Sequence, residues 1–187
     1  MDAFSYLSVL LSIILGLAIT QVLQGVRGLL LARGDVRLYA PTLIWAAMIL
    51  VMATQMWWAS FGLASHRDWS FAGFGLILLQ MVLLYMLAAL VLPDFAVGQR
   101  VDLKAHYYRE ARPFFAIIVA MLAASIAKDV VIDGRPPHGT NLGFHLVFGT
   151  MAAAQATVRR PRLHEVLAVA AGLLMGLYIF LLFARLS

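Results

Sequence analysis

Cysteine is absent from the 187-residue chain, and charged residues are scarce. Without cysteine, disulfides, thiolate nucleophiles, iron–sulfur clusters and cysteine-ligated zinc are all excluded. Only 12% of the residues are charged whereas 63% are hydrophobic, and the mean hydropathy is +0.91. A soluble domain needs only about half of its residues to be apolar. The surplus of apolar residues therefore predicts an integral membrane protein.

Basic residues are absent before Arg27, and the acidic Asp2 lies near the start of the chain. A cleaved secretory signal begins with a positively charged region, so we expect the first apolar segment to remain in the mature protein. The net charge of +5 comes from short segments between apolar runs. We expect these segments to contact anionic lipid headgroups rather than nucleic acid.

Six apolar segments approach the roughly 20 residues that a helix needs to cross a hydrocarbon core. Their approximate bounds are 3–25, 41–64, 71–92, 113–133, 141–158 and 163–185. The six prolines lie at or between these segments, where a missing amide donor is tolerated. The sequence thus predicts an all-α, polytopic membrane bundle of six transmembrane helices in a single domain, residues 1–187. The fifth segment is the shortest and begins with polar residues, so a bundle of five spans remains an alternative.

The distribution of Lys and Arg predicts the orientation, because positively charged loops stay in the cytoplasm. Ten basic residues fall on one side, in the loops 26–40, 93–112 and 159–162: Arg27, Arg33, Arg37, Arg100, Lys104, Arg109, Arg112, Arg159, Arg160 and Arg162. Four fall on the other side: Arg67, Lys128, Arg135 and Arg185. We therefore expect a plasma membrane protein of the bacterial inner-membrane type with both termini outside.

The first span carries small and polar residues at a spacing of four. They are Ser8, Ser12, Gly16, Thr20, Gln24 and Gly28, with Gln21 beside the cytoplasmic end. Residues four apart share one face of a helix. Such a stripe either packs closely against another helix or lines a polar pathway, and the sequence leaves both open.

The sixth span repeats small residues at the same spacing, at Ala168, Gly172 and Gly176. This pattern favours close helix packing or self-association, so we expect a homo-oligomer or a subunit of a membrane complex. Before this span, Arg159, Arg160 and Arg162 are candidate headgroup contacts. His164 follows them, and we expect it at an interfacial helix start.

Ionisable and polar residues cluster where the fourth span ends and the fifth begins. They are Ser125, Lys128, Asp129, Asp133, Asn141 and His145. Charged groups are costly in hydrocarbon and often mark function, so these residues are the candidate polar pocket, opening outward. Alternatively, Lys128 extends to the interface and the carboxylates lie beside it in water.

Other polar and aromatic residues lie within the predicted spans. We expect Gln55, Gln80 and Gln155 to form hydrogen bonds between helices, because lipid offers no partner to an amide. Trp45 is expected near the headgroup level at the inner end of the second span, where amphipathic rings are favoured.

The sequence contains no short catalytic or nucleotide-binding motif. A bis-histidine haem needs two embedded histidines and only His145 lies within a span, so no cofactor and no metal site are predicted. We expect a small transporter or channel for an ion or small solute that uses the polar pocket. A non-catalytic partner subunit or assembly factor is an alternative, and a membrane-embedded enzyme or cofactor-binding protein is a second one.

Overall fold

Six α-helices form the computed structural model, which describes residues 3–65, 69–95 and 100–182. Their bounds are α1 Ala3–Leu31, α2 Ala40–Ser60, α3 Phe71–Val91, α4 Leu103–Asp133, α5 Gly139–Thr157 and α6 Pro161–Leu182. A 3₁₀ helix, Phe61–Ser65, follows α2, and two short strands, β1 Val36–Arg37 and β2 Val101–Asp102, pair in parallel. The predicted all-α bundle is confirmed.

Five of the helices, all except α5, are long and apolar enough to cross a membrane. The chain is therefore a polytopic membrane protein. α5 corresponds to the fifth predicted span, which is the one that the alternative bundle of five spans leaves out. With 19 residues, α5 is about 28 Å long at 1.5 Å per residue, but it carries several polar side chains. It packs against α4 and α6. Its His145 and Gln155 are buried, so they face protein rather than lipid.

The helices alternate in direction, so the bundle has two ends. We call the end that carries β1 and β2 the strand end, and the end that carries the turn at 134–138 between α4 and α5 the hairpin end. The strand pair places Val36 opposite Val101 and Arg37 opposite Asp102. It joins the segment before α2 to the segment before α4 and so holds these two helix starts together.

Asp102 also begins α4. Its carboxylate accepts hydrogen bonds from the amide of Ala105 at 3.0 Å and from the amide of Lys104 at 2.8 Å. These two bonds, together with the nearby guanidinium of Arg37, hold the pKa of the Asp102 carboxyl below its ordinary value. An N-terminal cap of this kind satisfies amide donors that the first helical turn leaves without partners.

α4 begins at Leu103, whereas the predicted span began at residue 113. The predicted loop 93–112 is therefore helical over its second half, and this part is continuous with the span. Pro113 lies inside the helix and removes one backbone hydrogen bond. Leu103, Tyr107 and Ala111 are buried at a spacing of four, so one face of the early turns packs on the bundle and holds them helical.

Glycine lets α1 pack closely against the end of α3 and the segment that follows it. A Cβ added at Gly25 would lie 2.7 Å from Cδ1 and 2.8 Å from Cβ of Leu92, and one added at Gly28 would meet the ring of Phe95. By contrast, a Cβ at Gly16, on the same helix, would meet nothing within 4 Å. The middle of α1 and its last turns thus have different requirements for glycine.

We expect Gly25→Ala to destabilise the protein, because the added methyl overlaps the Cβ of Leu92, which cannot move without its backbone. Overpacking of this kind typically costs about 1–3 kcal/mol. The matched control is Gly16→Ala, which has open space and gains up to about 1 kcal/mol of helix propensity. Thermal unfolding of both variants in the same mild detergent checks the difference, and equal melting temperatures would contradict it.

Candidate functional site

A cavity of about 110 Å³ lies inside the bundle, between α2, α3, α4, α5 and α6. We call it the inner cavity. Five methionines line it: Met48, Met52, Met56, Met121 and Met175. The rings of Trp45, Phe144 and Phe148 complete most of the apolar wall. Among the residues that the structure describes, no Asp, Glu, Lys or Arg lines this cavity.

The polar part of the wall contains a histidine with a defined tautomer. His145 Nδ1 lies 2.9 Å from the carbonyl oxygen of Asn141, and Nε2 lies 3.1 Å from Oγ of Ser125. Because a carbonyl can only accept a hydrogen bond, Nδ1 carries the proton and donates it. In the neutral imidazole Nε2 then has the lone pair, and the hydroxyl of Ser125 donates to it.

Two glutamine amides in the wall, those of Gln55 and Gln80, make no hydrogen bond within the part of the chain that the structure describes. The side chain of Gln80, at the middle of α3, is only 7% exposed, and neither it nor Gln55 makes a hydrogen bond to another described residue. The expected hydrogen bonds between helices are therefore wrong for these two residues. A buried amide without a partner costs free energy, and here both amides line a cavity in which a bound solute could pair with them.

Gln155 does not line the inner cavity. Its Nε2 donates to the carbonyl of Met151 at 3.3 Å within α5, and its Oε1 has no partner among the described residues. This amide also fails to make the expected bond between helices.

A second and wider cavity, of about 450 Å³, opens at the hairpin end, and we call it the outer cavity. Its polar lining includes Asp129, Asp133, Arg135, His138 and Asn141. Asn141 connects the two spaces. It lines the outer cavity, its carbonyl accepts from His145, and its Oδ1 accepts from the hydroxyl of Tyr178, which lines the inner cavity, at 3.5 Å. The two cavities therefore adjoin at Asn141.

The six residues of the predicted polar pocket divide between these two cavities. Ser125 and His145 line the inner cavity, and Asp129, Asp133 and Asn141 line the outer one. Lys128 lines neither. Its Nζ lies 3.0 Å from Oδ1 of Asp129, and the two side chains are 27% and 14% exposed. The two carboxylates thus line the outer cavity, whereas Ser125 and His145 line the inner one.

Aromatic rings close the inner cavity toward the strand end. The buried ring of Trp45 packs edge-to-face on Phe114 and Phe115, with centroid distances of 5.5 and 5.4 Å. Further toward the strand end, Tyr39 lies 3.3 Å from Tyr108 between the hydroxyl oxygens, and burial raises the pKa of the Tyr39 phenol. Among the described residues, these rings pack between the inner cavity and the strand end.

His164 lies at the centre of the strand-end rings and is completely buried. Its Nε2 donates to the carbonyl of Val158 at 2.7 Å, and its Nδ1 accepts from the hydroxyl of Tyr107 at 2.9 Å. His164 lies in the first turn of α6, as expected for a helix start, but its imidazole faces protein. Its position at the membrane interface stays a prediction. Tyr108 and Phe115 also contact the imidazole ring, at centroid distances of 5.2 and 5.9 Å.

The stripe on α1 lies outside both cavities. Ser12, Gly16, Thr20 and Gln24 are exposed on the bundle surface, while Ser8 and Gln21 are half-buried. The hydroxyls of Ser12 and Thr20 donate to carbonyls of their own helix at 2.7 Å. The core face of α1 consists instead of Leu7, Leu11, Leu15, Ala18 and Val22. Contact of the stripe with another chain remains a prediction.

The small residues of α6 differ in whether they pack against the bundle. Ala168 is fully buried, and a Cβ at Gly172 would lie 3.9 Å from Met48 of α2, whereas one at Gly176 would meet nothing within 4 Å. Two of the three therefore lie where α6 packs on the bundle. At the strand end, the candidate headgroup contacts Arg159, Arg160 and Arg162 are all exposed.

Sequence reasoning missed the methionines and Trp45 as cavity residues. One signal was present, because Met48, Met52 and Met56 follow each other at a spacing of four and so share one face of α2. Comparison with protein families, with curated proteins and with solved structures finds no match to this chain.

Proposed function

We propose that this protein is a small transporter or channel whose solute enters the outer cavity and then occupies the inner cavity. The observation that carries the proposal is the adjoining of the two cavities at Asn141. Packing of apolar helices does not by itself require polar side chains around a cavity. The wall of the inner cavity contains polar side chains, and one of them is the buried amide of Gln80.

The arrangement has the features of a pathway that is open at one end. Asn141 and Tyr178, whose side-chain oxygen atoms lie a long 3.5 Å apart, stand between the inner cavity and the outer one. At the other end, the solute would have to pass the packed rings of Trp45, Phe114 and Phe115. Passage across the membrane therefore requires these rings to move, as in gating by an apolar constriction.

We further propose that the hairpin end faces outward in a plasma membrane of the bacterial inner-membrane type. The segments at the strand end carry ten of the fourteen Lys and Arg residues, and positively charged segments stay in the cytoplasm. With α5 running the length of the bundle, both termini also lie outside. The solute would then enter from the outer face.

Thiol labelling tests the pathway, because the chain has no cysteine and each single-cysteine variant carries one thiol. We expect Asn141→Cys to react rapidly with a membrane-impermeant methanethiosulfonate added at the hairpin side. Ser125→Cys should react more slowly, because its thiol lies in the inner cavity. Val22→Cys, at a fully buried position on the core face of α1, is the matched control and should not react.

The labelling experiment can also contradict the proposed route. Equal protection of Ser125→Cys and Val22→Cys from either face of oriented vesicles would show that water does not reach the inner cavity and would overturn the proposed route. Transport is measured on proteoliposomes by stopped-flow light scattering with glycerol, urea and potassium and silver salts. Permeability no higher than in protein-free liposomes for every solute would overturn the function.

A second candidate is a partner subunit or assembly factor, and the exposed stripe on α1 favours it. Gly16, Thr20 and Gln24 lie on the bundle surface, where small residues allow close helix contact and an amide can bond across an interface. Recovery of the chain with another membrane protein after mild extraction would support this candidate. Recovery as a lone polypeptide in every extraction would count against it.

A further inference from the structure

We propose that the inner cavity binds a soft monovalent cation of the class of Cu(I) and Ag(I). The proposal rests on the proposed function for the route by which the ion arrives, and it names the chemistry of the solute. The binding site itself consists of the methionine thioethers together with His145.

Methionine is concentrated around the inner cavity. The chain has nine methionines, and five of them line one cavity of about 110 Å³. They come from three helices: Met48, Met52 and Met56 from α2, Met121 from α4 and Met175 from α6. Thioether sulfur is a soft, uncharged donor, and it selects Cu(I) among the common biological metals.

Carboxylates are absent from the described residues that line the inner cavity. Hard cations such as Mg²⁺ and Ca²⁺ require oxygen ligands that usually include carboxylates, and the inner cavity has no Asp or Glu among the described residues. Nor do three His, Asp or Glu side chains anywhere in the described ranges come together as a metal-binding group. An uncharged thioether wall therefore suits a soft ion with a single charge better than a hard divalent one.

A hydrogen bond orients the imidazole of His145 at the wall of the inner cavity. Its Nδ1–H donates to the carbonyl of Asn141 at 2.9 Å, which leaves the lone pair on Nε2 at the cavity wall. Histidines that bind metals are held in this way, with the second ring nitrogen donating to a carbonyl or carboxylate. The Ser125 hydroxyl that bonds Nε2 at 3.1 Å can rotate away when an ion arrives.

The competing explanation is that the methionines only fill space, since flexible methionine fits irregular gaps in apolar cores. Leucine separates the two explanations. It has nearly the same volume as methionine and usually replaces it at little cost in stability, but it has no sulfur. If the methionines only fill space, their substitution by leucine leaves cation binding unchanged.

The experiment is a titration of the purified full-length protein with Ag(I), which is a redox-inert probe, in mild detergent. Met52→Leu, Met121→Leu and the double variant test the cavity. Met81→Leu and Met86→Leu are matched controls, because neither residue lines the cavity. We expect each cavity variant to weaken Ag(I) binding by at least the roughly ten- to hundredfold that loss of an outer-shell partner costs a metal site, with both controls unchanged.

Equal affinity in the cavity variants and the controls would overturn the proposal, as would the absence of Ag(I) binding by the unmodified protein. Melting temperatures of all variants verify that each is folded. His145→Gln adds a variant outside the methionine set, and its affinity should also fall.

Failure of this inference can be distinguished from failure of the proposed function. If Ag(I) does not bind while proteoliposomes still pass glycerol, urea or potassium, the cation site is wrong and the transport proposal stands. If Ag(I) binds with the expected methionine dependence but no solute crosses the membrane, the site stands and the transport proposal is wrong.

Discussion

Replacing Trp45 with alanine is expected to open the strand end of the bundle and to produce a leak. The indole lies between the inner cavity and a small void of about 10 Å³, and it lines both. The void is also lined by Glu110, whose side chain is 24% exposed, so it lies close to solvent at the strand end. Without the ring, the inner cavity and the void become one space.

Thiol labelling measures this leak in a Ser125→Cys background. With Trp45 present, the thiol should react only from the hairpin side, and in the Trp45→Ala variant it should react from both sides. Trp57→Ala is the matched control, because Trp57 lies on the same helix but is 57% exposed, and it should behave like the parent.

The substitution also carries a stability cost that has to be measured alongside the leak. Removing a buried Trp side chain costs about 3–5 kcal/mol, so labelling is carried out well below the melting temperature of the variant. If the folded variant still protects the thiol from reagent at the strand side, then Trp45 does not close the pathway. The other rings would then be sufficient.

His164→Ala should be among the most destabilising single substitutions in this protein, with an expected loss of about 2–5 kcal/mol from the cavity and the lost hydrogen bonds. The side chain is fully buried among aromatic rings. Its removal leaves the Tyr107 hydroxyl and the Val158 carbonyl without their partner. Thermal unfolding in mild detergent checks the effect.

The control for this substitution is His138→Ala. His138 is exposed at the start of α5, and its side chain makes no capping hydrogen bond, so the melting temperature should hardly change. A small effect at His164, comparable to that at His138, would contradict the assigned role of the imidazole in joining α4 to α6. Tyr107→Phe, which removes only one hydroxyl, should give an intermediate loss.

The helices could be predicted with good accuracy from apolar segments, since the length of a span follows from the thickness of the bilayer. The start of α4 could not be predicted in this way. Charged residues and Pro113 are typical of a loop, and only the packing of Leu103, Tyr107 and Ala111 on the bundle shows why the helix begins earlier. In α5, polar residues lower the hydropathy of the segment, and two of them, His145 and Gln155, are buried against protein.

Part of the candidate site was also accessible from sequence. Ser125 and His145 were found because polar groups within a span are costly and so stand out. The methionines did not stand out, since hydropathy treats them as ordinary lipid-compatible residues. Trp45 was assigned to the headgroup level by its position, whereas the structure places it against the inner cavity.

The sequence by itself determined that this is a polytopic helical membrane protein, because an apolar surplus and its division into spans are properties of consecutive residues. It also located the polar residues at the junction of α4 and α5. Only the tertiary structure decided which side chains share a cavity. That depends on how each helix is rotated about its axis, and rotation is set by packing between helices that are distant in the chain, as Gly25 against Leu92 illustrates.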